Sequence, residues 1–478
     1  MRRPYRRVGA LMLRVTVFER GRLLRADIGA GEAARDEGTP WRRRLPARLY
    51  DRLLQSELAR GRRSKQPVFE WRRDHCLVGS WVGVIQIPGL LLEILPKIDE
   101  PDTEAAQTVS DVRNNLLEML IRGGLGAVRS RGMANLAVKR GTLFDQLVAA
   151  FLDRTLHELR RGLDRGYLSE EGNLLALRGK LVLSRHVVHN AVRKHRFYCR
   201  HDVLSEATAI TITLKQACRV LAARALPSPL MVQCQQVLAV LDEVPDVALP
   251  LRAPRPVFDR QNERFEDIHA FACMVLDGHT PDARAGEVRT FSLLFNMEKV
   301  FERYIARLCE THVMPRVPEA RFSPQGRGRT RALFRGAVHS GLLELTPDLL
   351  FTRDAAAGGG TLVVDTKWKR LDSGKAARPA NADLYQLYAY LRRFGCERAF
   401  LLYPQVEGVA PRDLTALGAG DDAVGTVGVR FVELDRRLWT PAGREALVSE
   451  LEALVREGLA LPDRESAAGE RRPDASVA

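Results

Sequence analysis

Lysine is scarce in this sequence, with 10 residues among 74 basic side chains in a chain of 478. Arginine supplies the remainder, a bias that GC-rich coding explains, so each lysine is less readily dismissed as surface filler. There is no run of about 18 apolar residues, which excludes a transmembrane helix and predicts no membrane partner. Cysteine is sparse and odd in number: seven residues, none in CxxC spacing. That excludes a disulfide framework or a zinc ribbon and fits a reducing cytoplasm. The basic start, Met1 to Arg7, precedes only a short apolar run that ends at Arg14, a poor signal peptide. No GxxxxGK[ST] phosphate loop is present; the nearest stretch, ending Gly179-Lys180-Leu181, has the wrong spacing and no hydroxyl after the lysine. A nucleotide motor must therefore come from another chain. No internal repeat is visible.

What is present is a basic, foldable chain. Apolar residues make up 45%, charged residues 28%, and the formal net charge is +15. That balance excludes wholesale disorder and favours a polyanionic partner, nucleic acid before acidic membrane. The excess divides unevenly: +7 over residues 1–110, +6 over 111–280 and +2 over 281–478. Length alone suggests about three domains.

The sequence predicts an α+β multidomain protein. Residues 1–110 read as a β-rich N-terminal module, with apolar runs Val82–Ile87 and Leu90–Leu95 broken by Pro88-Gly89 and Pro96, and Asp99-Glu100-Pro101-Asp102 as a boundary. Residues 111–285 read as a helical, basic middle domain. Phe144, Leu147, Val148, Phe151, Leu152, Leu156 and Leu159 recur at helical spacing there, and 246–260 looks like a linker. Residues 286–462 alternate strand and helix patterns. Asn296 is a candidate cap for a helix over 297–310, Leu342–Phe351 and Thr361–Trp368 are candidate strands, and Asp383 is a candidate cap for a helix to Phe394. Residues 463–478 read as a disordered tail.

The chemistry concentrates in Thr346-Pro347-Asp348-Leu349 and Val363-Val364-Asp365-Thr366-Lys367. In a strand, Asp365 and Lys367 point to the same side. A hairpin through Gly358-Gly359-Gly360 would bring Asp348 alongside them. Two carboxylates at one spot repel unless a cation lies between them, and hard oxygens with room for water suit Mg²⁺. The expected roles are Asp348 and Asp365 as metal ligands, the Thr366 carbonyl as a further ligand, and Lys367 assisting an attacking water. Glu302, with Glu298 as its rival, would complete the site. Gln386 and Tyr390, four apart on one helical face, would support it or contact DNA. This is the PD…(D/E)xK arrangement of metal-dependent nucleases.

The segments Asn296–Glu302, Thr346–Asp348, Asp365–Lys369, Asp383–Leu387 and Leu401–Pro404 resemble the McrC family, nuclease subunits of the McrBC modification-dependent restriction system. The similarity reaches upstream to Val84–Gln86, Glu93–Ile98, Leu177–Leu181 and His195–Cys199. The resemblance implies a C-terminal PD-(D/E)xK domain, a mixed sheet flanked by helices, and a Mg²⁺-dependent endonuclease. It implies as partners an McrB-like AAA+ GTPase hexamer and double-stranded DNA carrying 5-methylcytosine, with GTP bound by the partner. Stimulation of that GTPase is part of the same expectation. Rival readings are a RecB-like nuclease that needs no motor and a non-catalytic adaptor of a GTPase ring. The basic run around His186, His189, His195, Cys199 and His201 could hold zinc, but the interleaved arginines favour a surface for phosphates or an acidic partner. Lys180 and Arg196 are the candidate DNA contacts there.

Overall fold

The structure, a computed structural model, describes residues 12–34, 39–61, 67–97, 108–123, 141–224, 226–247, 256–278, 290–326, 329–334, 342–353, 359–369, 371, 378–418 and 422–462. The expected tail, the boundary at Asp99–Asp102, and Gly358 of the triple glycine lie outside the described residues, as do Pro250 and Pro254 of the expected linker. The chain divides into two compact units: Met1–Gly124 with Leu294–Ala478, and Leu125–Leu293. The N-terminal module and the candidate nuclease segment thus share one unit.

The discontinuous unit opens with β1 (Leu13–Phe18), β2 (Arg22–Ala26), α1 (Ala30–Ala34), β3 (Arg42–Pro46), α2 (Ala47–Gly61), β4 (Phe69–Trp71), β5 (His75–Val78), β6 (Trp81–Ile87), β7 (Leu90–Leu95) and α3 (Val109–Arg122). The other unit holds α4 (Leu143–Arg160), β8 (Gly166–Leu174), β9 (Lys180–Leu181), α5 (Leu183–Asn190), β10 (Phe197–Ser205), α6 (Ala209–Ala222), α7 (Ser228–Val240) and α8 (Glu266–Gly278). β11 (Phe291–Asn296) returns the chain to the first unit. There follow α9 (Met297–Leu308), β12 (Ala320–Pro324), β13 (Arg331–Phe334), β14 (Leu342–Leu345), β15 (Leu349–Arg353), β16 (Thr361–Thr366), α10 (Asn381–Phe394), β17 (Arg398–Pro404), β18 (Arg412–Leu417), β19 (Ala423–Val432) and α11 (Pro441–Gly458).

Three expectations are corrected here. The middle of the chain is not purely helical: β8, β10 and β9 form a three-stranded sheet. The residues of β8 are mostly exposed, so burial imposed no alternating apolar pattern on the sequence. The N-terminal module likewise contains α2, a 15-residue helix. The candidate strand Leu342–Phe351 is two strands, because Thr346-Pro347 interrupts it and proline cannot donate to a ladder.

The sheet that positions the site has six strands in the order β12-β15-β16-β17-β19-β18. Its centre, β16, reads Thr-Leu-Val-Val-Asp-Thr, β-branched and buried on both faces. β15 and β16 are antiparallel, with Leu349 opposite Val364 and Thr352 opposite Thr361. β16 and β17 are parallel, as a crossover through α10 requires. On one face Val363, Leu350, Ala399, Leu401, Tyr403, Val427 and Val429 form a core with Leu387, Tyr390, Leu391 and Phe394 of α10. On the other, Gly458 of α11 presses so closely on Leu362 that a Cβ there would lie 2.4 Å from a leucine methyl. α10 ends at Gly395, whose φ of 63° makes a left-handed stop that favours glycine.

The same unit is tied across long sequence separations. Asn115 of α3 is fully buried; its Nδ2 donates to the carbonyls of Leu434 and Arg436, and its Oδ1 accepts from Leu438 N at 2.8 Å. Arg444 reaches Glu118 at 2.8 Å. Among the described residues no helix is long and apolar enough to cross a membrane.

Candidate active site

The candidate side chains are delivered by several elements, with Gln386 and Tyr390 sharing α10. Asn296 caps α9, its side chain accepting from Lys299 N at 3.2 Å. Met297, Val300, Phe301, Tyr304, Ile305 and Leu308 bury one face of that helix and leave Glu302 half-buried beside it. Asp348 ends the Thr-Pro turn just before β15, and the β15–β16 register continues to set it opposite Asp365. Asp365 is 1% exposed and Lys367 is the first residue but one beyond it.

The contacts converge. Asp348 Oδ2 accepts from both the amide and the hydroxyl of Thr366, each at 2.8 Å. Asp365 Oδ1 accepts from Gln386 Nε2 at 3.1 Å, while Lys367 Nζ lies 2.6 Å from Asp365 Oδ2. That Oδ2 is buried and has no hydrogen bond of good geometry, so the ion pair is its main compensation. Gln386 Oε1 accepts from Lys367 Nζ at 3.1 Å, so one amide holds both the acid and the base. Tyr390 continues the line: Gln386 Nε2 donates to its hydroxyl, which donates to the Thr346 carbonyl at 3.0 Å. Gln386 and Tyr390 therefore brace the site and the turn before Asp348. Glu302 joins through Gln325, whose Nε2 donates to Glu302 Oε1 at 3.0 Å and whose N–H donates to the Asp348 carbonyl at 2.7 Å.

The electrostatics follow from burial and crowding. Burial, with repulsion from Asp365 and Glu302, pushes the Asp348 carboxyl up to about 7 against the pull of the Thr366 hydrogen bonds. Burial also raises Asp365, opposed by Lys367 and assisted by Asp383 and Glu302. Lys367 is held above its ordinary value: its burial is outweighed by Asp365, Asp383 and Asp348. Asp348 and Asp365, both raised and both crowded by Glu302, are a donor set that a divalent cation would relieve, and their hard oxygens suit Mg²⁺. As the side chains stand, Thr366 and Lys367 engage those oxygens, and among the described residues no group of three or more His, Cys, Asp or Glu is already arranged to hold a metal.

Three contributors were not read from the sequence. Asp383 is not the cap of α10, which is Ala380; it sits buried in the first turn, 3.6 Å from Lys367 Nζ and 3.4 Å from Lys369 Nζ. Gln325 has a left-handed φ of 50°, for which the Gln-Gly pair is a turn signal. Glu19 at the end of β1 accepts from Trp368 Nε1 at 2.6 Å and from Lys97 N at 3.1 Å, and burial pushes its carboxyl up to about 7. Phe301 of α9 packs on the same indole, its ring centre 5.4 Å away. Besides the carbonyl expected to serve a metal, Thr366 contributes its hydroxyl and amide, which both bond Asp348.

Lys180 and Arg196 belong to the other compact unit. Lys180 is exposed on β9 and Arg196 donates to the Asn173 carbonyl at 3.2 Å. His186 Nδ1 bonds Asn190 and the Tyr198 amide, and His189 packs against the Tyr198 ring. These are structural contacts of a small sheet and its helix.

No curated protein matches the chain. A chain in the refined half-complex from the tetradecameric assembly of Thermococcus gammatolerans McrB AAA+ hexamers with bound McrC is similar in fold. The TM-score is 0.60 at 18% identity, over 92% of this chain and 100% of that one. A chain in the cryo-EM structure of the Thermococcus gammatolerans McrBC complex matches at a TM-score of 0.43 and 18% identity, over 62% of this chain and 87% of that one. Residues 77–404, which include Glu302, Asp348, Asp365, Lys367 and Gln386, match the family described as McrBC 5-methylcytosine restriction system component, and the chain belongs to that family.

Proposed function

We propose that this chain is the DNA-cleaving subunit of a GTP-dependent restriction complex directed at modified cytosine, with its six-stranded sheet a PD-(D/E)xK nuclease fold. The observation that carries the reading is the meeting of Asp348, Asp365 and Glu302 with Lys367 and Gln386 at the ends of two inner strands of one sheet. A bound Mg²⁺ would be held by Asp348 and Asp365, with Glu302 and the Thr366 carbonyl in support, and would supply Lewis-acid stabilisation of charge on the phosphate. Lys367 then carries the positive charge beside the attacking water. Gln386 fixes that ammonium and the Asp365 carboxylate in one orientation, so little reorganisation remains at the moment of reaction. Phosphate hydrolysis of this kind is mostly positioning and electrostatics, which suits a site built from braced charges.

The partner in this reading is an McrB-like AAA+ hexamer, which binds the GTP and whose hydrolysis the chain stimulates. Support comes from the family match and from the fold similarity to a chain found in an McrB–McrC assembly. The test is cleavage of methylated and unmethylated duplexes by the chain, with and without the partner, GTP and Mg²⁺. Cleavage restricted to methylated DNA in the complete mixture is expected. Unchanged cleavage by an Asp365→Ala complex would remove the nuclease assignment, and GTP-independent cutting by the chain alone would favour a motor-free nuclease.

A further inference from the structure

The low net charge of residues 281–478 conceals a local concentration. Between Arg321 and Arg335 there are five arginines, Arg321, Arg327, Arg329, Arg331 and Arg335, and no acidic residue. Two of them, Arg329 and Arg331, line a cavity of about 360 Å³ with Thr330, Thr352, Thr361, Leu350 and Phe394. Both arginines are exposed, and among the described residues neither pairs with a carboxylate. Arg331 is held in place: one N–H donates to the Arg393 carbonyl at 2.8 Å, and its guanidinium lies over the Phe394 ring. Arg393 reciprocates with a bond to the Ala332 carbonyl at 3.0 Å. The Arg329 side chain makes a long contact to the Thr352 hydroxyl, 3.4 Å. Guanidinium groups beside hydroxyls, with no acid to neutralise them, are the chemistry that takes a phosphate.

The placement is as telling as the composition. Thr352 and Thr361 are a cross-strand pair of β15 and β16. They lie on the same sheet face as Asp348 and Asp365, four residues along each strand, which is about 13 Å at about 3.3 Å per residue. That span equals roughly four nucleotides of rise along one DNA strand. The turn after β12 serves both ends. Gln325 reaches Glu302 and Asp348, and Arg329, whose N–H bonds the Gly326 carbonyl at 2.7 Å, reaches the cavity.

We propose that this cavity is a phosphate subsite, in which Arg329 and Arg331 hold a backbone phosphate of the duplex a few nucleotides from the position cut at Asp348 and Asp365. The proposal rests on the nuclease reading for its choice of duplex DNA, and its test is separable from that reading because it measures binding without cleavage.

The affinity of the full-length chain for a short duplex is measured in EDTA over a series of salt concentrations, for wild type, Arg329→Gln and Arg329→Lys. Loss of one phosphate contact lowers the slope of log affinity against log salt by about one. Arg329→Gln is expected to show that loss and Arg329→Lys to restore most of it. A slope that ignores Arg329→Gln, or no duplex binding by wild type even at low salt, overturns the proposal. A second arm titrates inorganic phosphate and pyrophosphate. If Arg329→Gln abolishes their binding while leaving duplex affinity intact, the cavity holds a free anion, and the backbone assignment fails. A chain that binds with the expected slope yet cuts nothing with its partner, GTP and Mg²⁺ would sink the nuclease reading and leave the subsite standing.

Discussion

Trp368 donates its indole N–H to Glu19 across 2.6 Å, joining residues 349 positions apart. The bond fixes the residue next to Lys367 to the end of a strand in the N-terminal sheet. The Glu19 carboxyl is fully buried, its Oε2 has no hydrogen bond, and it is pushed up to about 7 from an ordinary value near 4.5. For an acid whose folded value is raised, the associated stability is complete below the unfolded value and is lost as pH rises through the folded one. Glu19 should therefore weaken the fold progressively between about pH 4.5 and 7, by up to on the order of 3 kcal/mol. Glu19→Gln keeps an acceptor for Trp368 and removes the charge. Thermal melting should show the variant level with wild type near pH 4.5 and more stable at pH 8. Parallel curves across that range would contradict the assignment.

Asp348, also raised to about 7, carries a second pH dependence. A carboxyl that is protonated below that value must lose its proton to bind a cation. Mg²⁺ affinity should climb by up to about tenfold per pH unit below 7 and level off above it. Calorimetry in two buffers of different ionisation enthalpy reads the released proton directly; binding with no proton release at pH 6 would refute this.

Gln386 is the joint between acid and base, accepting from Lys367 and donating to Asp365. Gln386→Ala leaves both without their shared brace. The expected loss in cleavage rate by the complete assembly is about 10- to 100-fold, the usual effect of removing a partner of a metal ligand. Duplex affinity in EDTA should be unchanged, which separates positioning from DNA contact.

Tyr390→Phe removes the bond to the Thr346 carbonyl and one to Gln386. The ring remains in the core, so the cost should be modest, about 1 kcal/mol in denaturant unfolding. A destabilisation of several kcal/mol would mean that the hydroxyl supports more than the turn.

Asn115 satisfies two carbonyls and one N–H from the segment after β19. Asn115→Ala leaves those groups buried and unpaired, at about 2 to 4 kcal/mol. Hydrogen exchange at the Leu438 amide is the specific readout: protection there should fall well before protection in α9 does.

What the sequence disclosed depended on whether chemistry and local pattern coincided. Asp348, Asp365 and Lys367 were legible because a strand alternates its faces and a hairpin pairs its neighbours, both local rules. Glu302 was legible from a cap and a helical stripe. Gln386 and Tyr390 share a face by spacing, but their joint hold on the Thr346 turn is tertiary. Asp383 was misread because an acidic residue at a helix start has two uses, and only packing against Lys367 and Lys369 distinguishes them. Glu19 gave no signal, since nothing near it in sequence announces a partner at Trp368. β8 was missed because its exposed face released it from apolar alternation, and β3 because its first three residues are arginines. The segmental charge misled differently: summing over 281–478 cancelled acids elsewhere against the arginines of 321–335.

The discontinuity of the first unit also fixes an order of events during synthesis. Residues 125–293 are contiguous and can close their own contacts as they emerge. β1 can pair with β7 early, but Glu19 beside it must wait for Trp368 to leave the ribosome, an interval on the order of tens of seconds at typical elongation rates. Gln386 and α10, which hold Asp365 and Lys367 in register, arrive later still. A nascent or prematurely terminated chain thus carries the acidic pair without its brace, and the proposed cleavage site would be completed only once α10 has emerged.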